Sequence, residues 1–209
     1  MTKLAIFDRD ATIIDVVRDE ESGALSVAFH PSQIRLLEGA VDGMRALQDA
    51  GYVLTIATNQ PAPAKGQFSA EAVGRTNEAL LDRLRQRRVQ VAALEVCMHH
   101  PDGGPNGDPQ LVRVCDCRKP QPGMLHSLLA RFGADRALSW MIGDSTGDLQ
   151  AGHAAGVNTA LVFSPNRCEL CPLRWGVASV AGRTPDVHGS TLAEIAEHIL
   201  RHRSTRVLP

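Results

Sequence analysis

Net charge, long apolar runs and internal repetition are all scarce in this chain of 209 residues. A formal charge of -1 and a pI near 6.7 leave no electrostatic footprint for nucleic acid or an anionic membrane, so a polyanionic partner has to be small. No apolar run approaches the length of a membrane span. The opening MTKLAIFDRD reaches acidic residues too early for a signal peptide. The expectation is a cytoplasmic monomer with neither nucleic acid nor membrane as partner. Cysteine is sparse too: five residues in a reducing location point to metal ligands or buried thiols rather than a disulfide framework. No repeat or low-complexity linker divides the chain, and 44% hydrophobic content suffices for one core and hardly two. Residues 1–209 therefore read as a single domain.

What is present is a regular alternation. Short apolar runs, LAIF at 4–7, VLTIAT at 53–58, LEVCM at 94–98, LSWMIG at 138–143 and TALVF at 159–163, have the length and β-branched content of buried strands. Between them, Leu37, Val41 and Met44, then Val73, Leu80 and Leu84, then Leu125, Leu129 and Phe132 recur at helical spacing. TLAE, with Thr191 and Glu194, announces a last helix through a capping box. Strands alternating with helices predict an α/β fold: a doubly wound, Rossmann-like parallel sheet with helices on both faces. PDGGPNGDPQ at 101–110 is turn chemistry without periodicity and predicts a loop insertion.

Ligands of such a sheet bind outside the carboxyl ends of the strands. The first strand runs into FDRDAT, where alternation points Asp8 and Asp10 the same way. Converging carboxylates repel unless a cation relieves them, although Asp10 alone also suits a turn cap. The fourth strand ends in MIGDSTGDLQAG, placing Asp144 at a strand end and Asp148 one helical turn beyond. Thr58 and the backbone near Asn59 close the second strand, and Lys119 precedes a helix. An acidic magnesium site, a hydroxyl and amide cradle and a cation together form the equipment of phosphoryl transfer.

A second cluster is built from softer atoms. Cys97 and His99 are two apart on a predicted strand and share a face, and Cys115 and Cys117 repeat that spacing. Two such pairs suit tetrahedral zinc, and four protein ligands make the metal structural. The alternatives are inert thiols, a bond between Cys115 and Cys117, or His100 in place of His99. Arg118 and Lys119 directly follow the last ligand, so the zinc loop would pin both at the mouth of the acidic site, with Arg118 available to a second phosphate. Cys168 and Cys171 lack a partner pair, so unreactive thiols are the plainer reading. RLRQRR at 83–88 and RHRSTR at 201–206 read as solvated helix ends, and His126, His153 and His198 as surface or packing residues.

In this order, DRDAT, Thr58, Lys119 and GDSTGD resemble the four motifs of the haloacid dehalogenase superfamily, over about residues 3–165. The resemblance implies Asp8 as nucleophile, forming an aspartyl-phosphate, and Asp10 as general acid and base. It implies magnesium held by the Asp8 carboxylate, the Asp10 backbone carbonyl and Asp144, with Asp148 supporting that shell. TNQPAPAKGQFS, CMHHP and CDCRKPQPGM resemble the zinc-bearing branch, which contains heptose bisphosphate and histidinol-phosphate phosphatases and lacks a large cap domain. That branch implies substrate contacts at Lys65 and Arg118, beside the cradle of Thr58 and Asn59 and the cation Lys119. The activity it implies is removal of the 7-phosphate from D-glycero-D-manno-heptose 1,7-bisphosphate. Histidinol phosphate, another phosphorylated sugar, or an idle member that only binds a phosphorylated ligand are the alternatives. Three stretches depart from the pattern: Ala11 replaces a usual Gly, PAPAKG replaces SGIARG, and residues 16–30 do not match the usual first loop.

Overall fold

The computed structural model describes residues 1–163 and 184–205. In chain order its elements are β1 (Leu4–Phe7), β2 (Val17–Arg18), β3 (Leu25–Ser26), α1 (Ala40–Asp49), β4 (Val53–Asn59), α2 (Ala70–Gln86), β5 (Val91–Cys97) and α3 (Gly123–Phe132). β6 (Trp140–Gly143), α4 (Thr146–Ala155), β7 (Asn158–Val162), β8 (Val187–Gly189) and α5 (Leu192–Thr205) follow. Six strands form one sheet in the order β5-β4-β1-β6-β7-β8, and every neighbouring pair is parallel. This is the doubly wound order expected from strand-helix alternation. It puts β1 in the middle, where crossovers leave toward both edges.

Strand alternation sorts the apolar side chains into two cores. Ala5 and Phe7 of β1, Leu54 and Ile56 of β4 and Trp140 and Ile142 of β6 join α1, α2 and α5 through Met44, Leu80 and Ile195. Leu4, Ile6, Ala57 and Met141 face the other way, onto α3 and α4 through Leu125, Leu128 and Ala151. Strands so covered have no polar face, which explains their near-continuous apolar runs. None of the described helices is long and apolar enough to cross a membrane.

The predicted strands are all present, with three differences of detail. β5 ends at Cys97, so His99 lies beyond the strand that was expected to carry it. β8 was not foreseen, since three residues are too few to show a period. Between β1 and α1 the chain adds a short antiparallel hairpin, β2–β3, and no domain-sized cap. Leu37 sits ahead of α1, where its N–H donates to the Ile13 carbonyl at 3.0 Å. At α5, Thr191 Oγ1 accepts from the Glu194 N–H as a capping box requires, but Glu194 reaches back to the N–H and hydroxyl of Ser190, each at 2.8 Å.

Candidate active site

Asp8 follows β1, Thr58 and Asn59 close β4, and Asp144 follows β6, so adjacent parallel strands deliver them to one edge of the sheet. Carboxylate oxygens of Asp8, Asp144 and Asp148 lie within 4.8 Å of one another. Asp144 and Asp148 are buried, and three carboxylates there repel unless cations intervene. One cation is built in. Lys119 Nζ lies 2.8 Å from Asp8 Oδ1 and 2.6 Å from Asp148 Oδ1, and it donates to the Ala57 carbonyl at 2.7 Å. Burial pushes the Asp8 carboxyl up to about 6 against the pull of Lys119, with Asp148 and Asp10 adding to the rise. Burial alone would lower the Lys119 ammonium, but Asp148 and Asp8 override it and hold it above the usual lysine range. Asp148 completes its bonding at the start of α4, where Oδ2 accepts from the Ser145 N–H at 3.0 Å and hydroxyl at 2.6 Å.

Asp8 and Asp10 bond to different side chains. Both follow β1, which ends at Phe7, and the backbone then turns through Ala11 at φ 59°. Asp10 faces Arg9 and Gln60: Arg9 Nη2 donates to Oδ1 at 3.0 Å, Arg9 Nε to Oδ2 at 3.1 Å, and Gln60 Nε2 to Oδ2 at 2.6 Å. Gln60 Nε2 also donates to Thr58 Oγ1 at 2.9 Å, which keeps Asp10 beside the hydroxyl of the second motif. Arg9 and Gln60 are both buried. Neither was singled out from the sequence, although both stand inside the motifs that were read. The Asn59 side chain, whose backbone was the part expected in the cradle, donates to the Lys119 carbonyl at 2.9 Å and accepts from the Lys119 N–H at 3.1 Å. It brackets the lysine.

The second cluster is assembled as the spacing predicted, apart from the position of His99 after the strand. Sγ atoms of Cys97, Cys115 and Cys117 and Nδ1 of His99 lie within 4.8 Å of one another. Cys97 Sγ is 3.6 Å from Cys115 Sγ and 3.2 Å from Cys117 Sγ, and His99 Nδ1 is 3.2 Å from Cys117 Sγ. All three cysteines are free thiols, which rules against the Cys115–Cys117 bond. Zinc–sulfur bonds of about 2.3 Å at tetrahedral angles bring sulfurs to about 3.8 Å apart, so this donor set fits the ion with a small expansion. Burial, then Arg113, holds His99 below its ordinary value, which favours the neutral imidazole that binds metal. His100 does not substitute for it, because His100 Nδ1 accepts from the Asp102 N–H at 3.2 Å.

The loop after β4 and the insertion between β5 and α3 dock backbone to backbone. The Asp108 N–H donates to the Pro63 carbonyl at 3.1 Å. A Cβ on Gly107 would overlap the Ala64 carbonyl, and one on Gly104 would overlap that of Lys65. Only glycine permits that approach. Burial, then Lys65 and Arg118, holds His100 below its usual value, so both expected phosphate contacts share its surroundings. Arg118 Nη1 donates to the His99 carbonyl at 3.4 Å. The cysteine–histidine cluster, Lys65 and Arg118 thus belong to one connected patch.

Several minor readings can be placed as well. His126 and His153 are exposed, and His198 Nδ1 lies 2.8 Å from the His188 carbonyl at the surface. Arg83 departs from the solvated reading of RLRQRR, donating to the carbonyls of Ile34 at 2.7 Å and Pro31 at 2.9 Å. Cys168 and Cys171 lie outside the described residues.

The sequence profile of the HAD-hydrolase-like family matches residues 116–167, which include Lys119, Asp144 and Asp148. D-glycero-beta-D-manno-heptose-1,7-bisphosphate 7-phosphatase of Salmonella typhi is 38% identical over 126 residues, 60% of this chain and 65% of that relative, just under two thirds of its length. The enzyme of that name from Pasteurella multocida is 31% identical over 163 residues, 78% of this chain and 82% of the relative. The crystal structure of D,D-heptose 1,7-bisphosphate phosphatase from B. bronchiseptica, complexed with magnesium and phosphate, superposes with a TM-score of 0.73 at 29% identity. It covers 96% of this chain and 99% of that one. Agreement in motifs, fold and sequence across most of a relative's length places the chain in the haloacid dehalogenase-like hydrolases, where it belongs to the branch of the heptose bisphosphate phosphatases.

Proposed function

We propose that the chain is a magnesium-dependent phosphomonoester hydrolase that removes the 7-phosphate of D-glycero-D-manno-heptose 1,7-bisphosphate through an aspartyl-phosphate on Asp8. The observation that carries this reading is the convergence of Asp8, Asp144 and Asp148 around Lys119 at the carboxyl edge of the sheet. A carboxylate oxygen of Asp8 attacks phosphorus, the ester P–O bond breaks, and the leaving oxygen takes the proton of Asp10. Water then attacks phosphorus and gives its proton to Asp10, releasing inorganic phosphate and restoring Asp8. Thr58 and Lys119 hold phosphoryl oxygens, and Asn59 acts by fixing Lys119.

The oxygen donors of Asp8 and Asp144, with the Asp10 backbone carbonyl, suit a hard cation. Magnesium held there supplies charge neutralisation to the transferring phosphoryl group. Asp148 supports the shell through its bonds to Lys119 and Ser145. Cys97, His99, Cys115 and Cys117 leave zinc no open position, so that metal orders the loop. Lys65 and Arg118 grip the second phosphate of the substrate. The names of the relatives support the heptose bisphosphate, and the reading places the enzyme in the cytoplasm as a monomer.

The test is phosphate release, with and without magnesium, from both anomers of the heptose 1,7-bisphosphate beside histidinol phosphate and hexose phosphates. Selective, magnesium-dependent cleavage of a heptose bisphosphate is expected. Preference for histidinol phosphate would overturn the substrate and leave the reaction class. Asp8→Asn should abolish turnover with fold and bound zinc unchanged, and retained activity would remove Asp8 from the nucleophile's role.

A further inference from the structure

Arg9 is the bulkiest fully buried side chain of the described residues, at 0% exposure, and the chemistry proposed above gives it no task. A guanidinium cannot shed its proton, so burying one is costly unless its donors are bonded. Here they are. Besides the Nη2 and Nε bonds to Asp10, Nη1 donates to Asn77 Oδ1 at 2.7 Å and Nη2 to the Ala28 carbonyl at 3.1 Å. Asn77 lies on α2 and is itself buried, and Ala28 belongs to the segment that follows the β2–β3 hairpin. Packing elements on either side therefore fix the guanidinium before it meets Asp10.

From this geometry we infer that Arg9 is a positioning residue for proton transfer: its planar fork sets the plane and rotamer of the Asp10 carboxyl, and through Asn77 ties that setting to α2. The inference rests on the reading of Asp10 as general acid and base. A carboxylate has roughly four acceptor positions. Arg9 takes one on each oxygen and Gln60 a second on Oδ2, so the unused position is on Oδ1. Proton exchange with the leaving oxygen, and later with water, runs through Oδ1. Lysine carries the same charge without the fork and cannot fix the carboxyl plane.

The experiment uses leaving-group dependence. Protonation matters for a sugar alkoxide and little for p-nitrophenolate, and kcat/KM reports the steps through formation of the aspartyl-phosphate. In Arg9→Lys, kcat/KM should fall about 100-fold further for a sugar phosphate that the enzyme turns over than for p-nitrophenyl phosphate, the size of loss typical of a misplaced catalytic group. Equal losses on both substrates, or none on the sugar phosphate, would show Arg9 to be structural only. If Arg9→Lys does not give folded protein by thermal melting, Asn77→Ala, which removes one anchor and keeps the guanidinium, should show the same selective loss on a smaller scale. An unselective loss there overturns the inference equally. Asp10→Asn is the separate control. It should show the leaving-group selectivity at full size, and its absence would sink the role of Asp10 rather than that of Arg9.

Discussion

Ala11 adopts φ 59° with its methyl buried, a left-handed conformation that costs an L-residue about 1–2 kcal/mol. Glycine there would relieve the strain but lose about 0.8 kcal/mol of methyl burial and add chain entropy to the unfolded state. These terms nearly cancel, so Ala11→Gly should leave the melting temperature within about 3 °C of the parent, which thermal denaturation checks. Alanine in the place of a customary glycine is thus tolerated by burial. Asp8 supplies a second expectation. Its carboxyl is raised to about 6, above the ordinary value of 3.8, so without metal the ionised form costs stability, a penalty that sets in as pH rises from 3.8 toward 6. Magnesium binds the ionised form and competes with the proton below 6. The rise in melting temperature produced by a fixed concentration of magnesium should therefore be larger at pH 7.5 than at pH 5. Equal rises would remove Asp8 from the metal shell.

At the scale of elements, the informative unit is the pair of docked loops. Lys65 stands in a loop with no regular secondary structure of its own, docked at Pro63, Ala64 and Lys65 against the insertion that carries Cys115 and Cys117. Gly107→Val would drive a branched side chain into the Ala64 carbonyl and separate the loops. The expected outcome is a KM for a bisphosphate substrate raised about tenfold or more, the scale of one weakened charge-assisted contact. The kcat on a small monophosphate should stay close to the parent value, because Asp8 and Asp10 follow β1, and Lys119, at the far end of the insertion, is held by Asn59, Asp8 and Asp148. Steady-state kinetics on both substrates separates these outcomes. Chelating the cluster metal should act on the same loops, lowering thermal stability and bisphosphate affinity together.

At the scale of the whole molecule, two apolar cores flank one sheet, and the proposed chemistry occupies only its carboxyl edge. Leu128 is fully buried on α3, against the sheet and remote in sequence from the strand ends. Leu128→Ala should cost about 3 kcal/mol, seen as a fall of roughly 10 °C in melting temperature, with the magnesium dependence of turnover in the folded enzyme unchanged. A shift in that dependence would mean that α3 packing sets the site geometry directly. The two proposed metals should also separate: removing magnesium should stop turnover at little cost to the fold, whereas removing a metal from the cysteine cluster should loosen the insertion.

The sequence by itself determined the five long strands, the main helices and the positions of the chemistry, but not the short β2, β3 and β8. Apolar runs and helical spacing are local consequences of burial, and Asp8, Asp144, Lys119 and the four soft ligands stand at strand ends or in loops where local pattern finds them. Tertiary structure alone decided how those residues are shared out. Asp10 met Gln60 because a partner 50 residues away was brought opposite it. Asn59 became the bracket for Lys119 because a partner 60 residues away was brought opposite it, and Arg83 left solvent for the carbonyls of the first loop. Such bonds join groups distant in the chain and satisfy buried donors and acceptors, a requirement that exists only once the chain has folded.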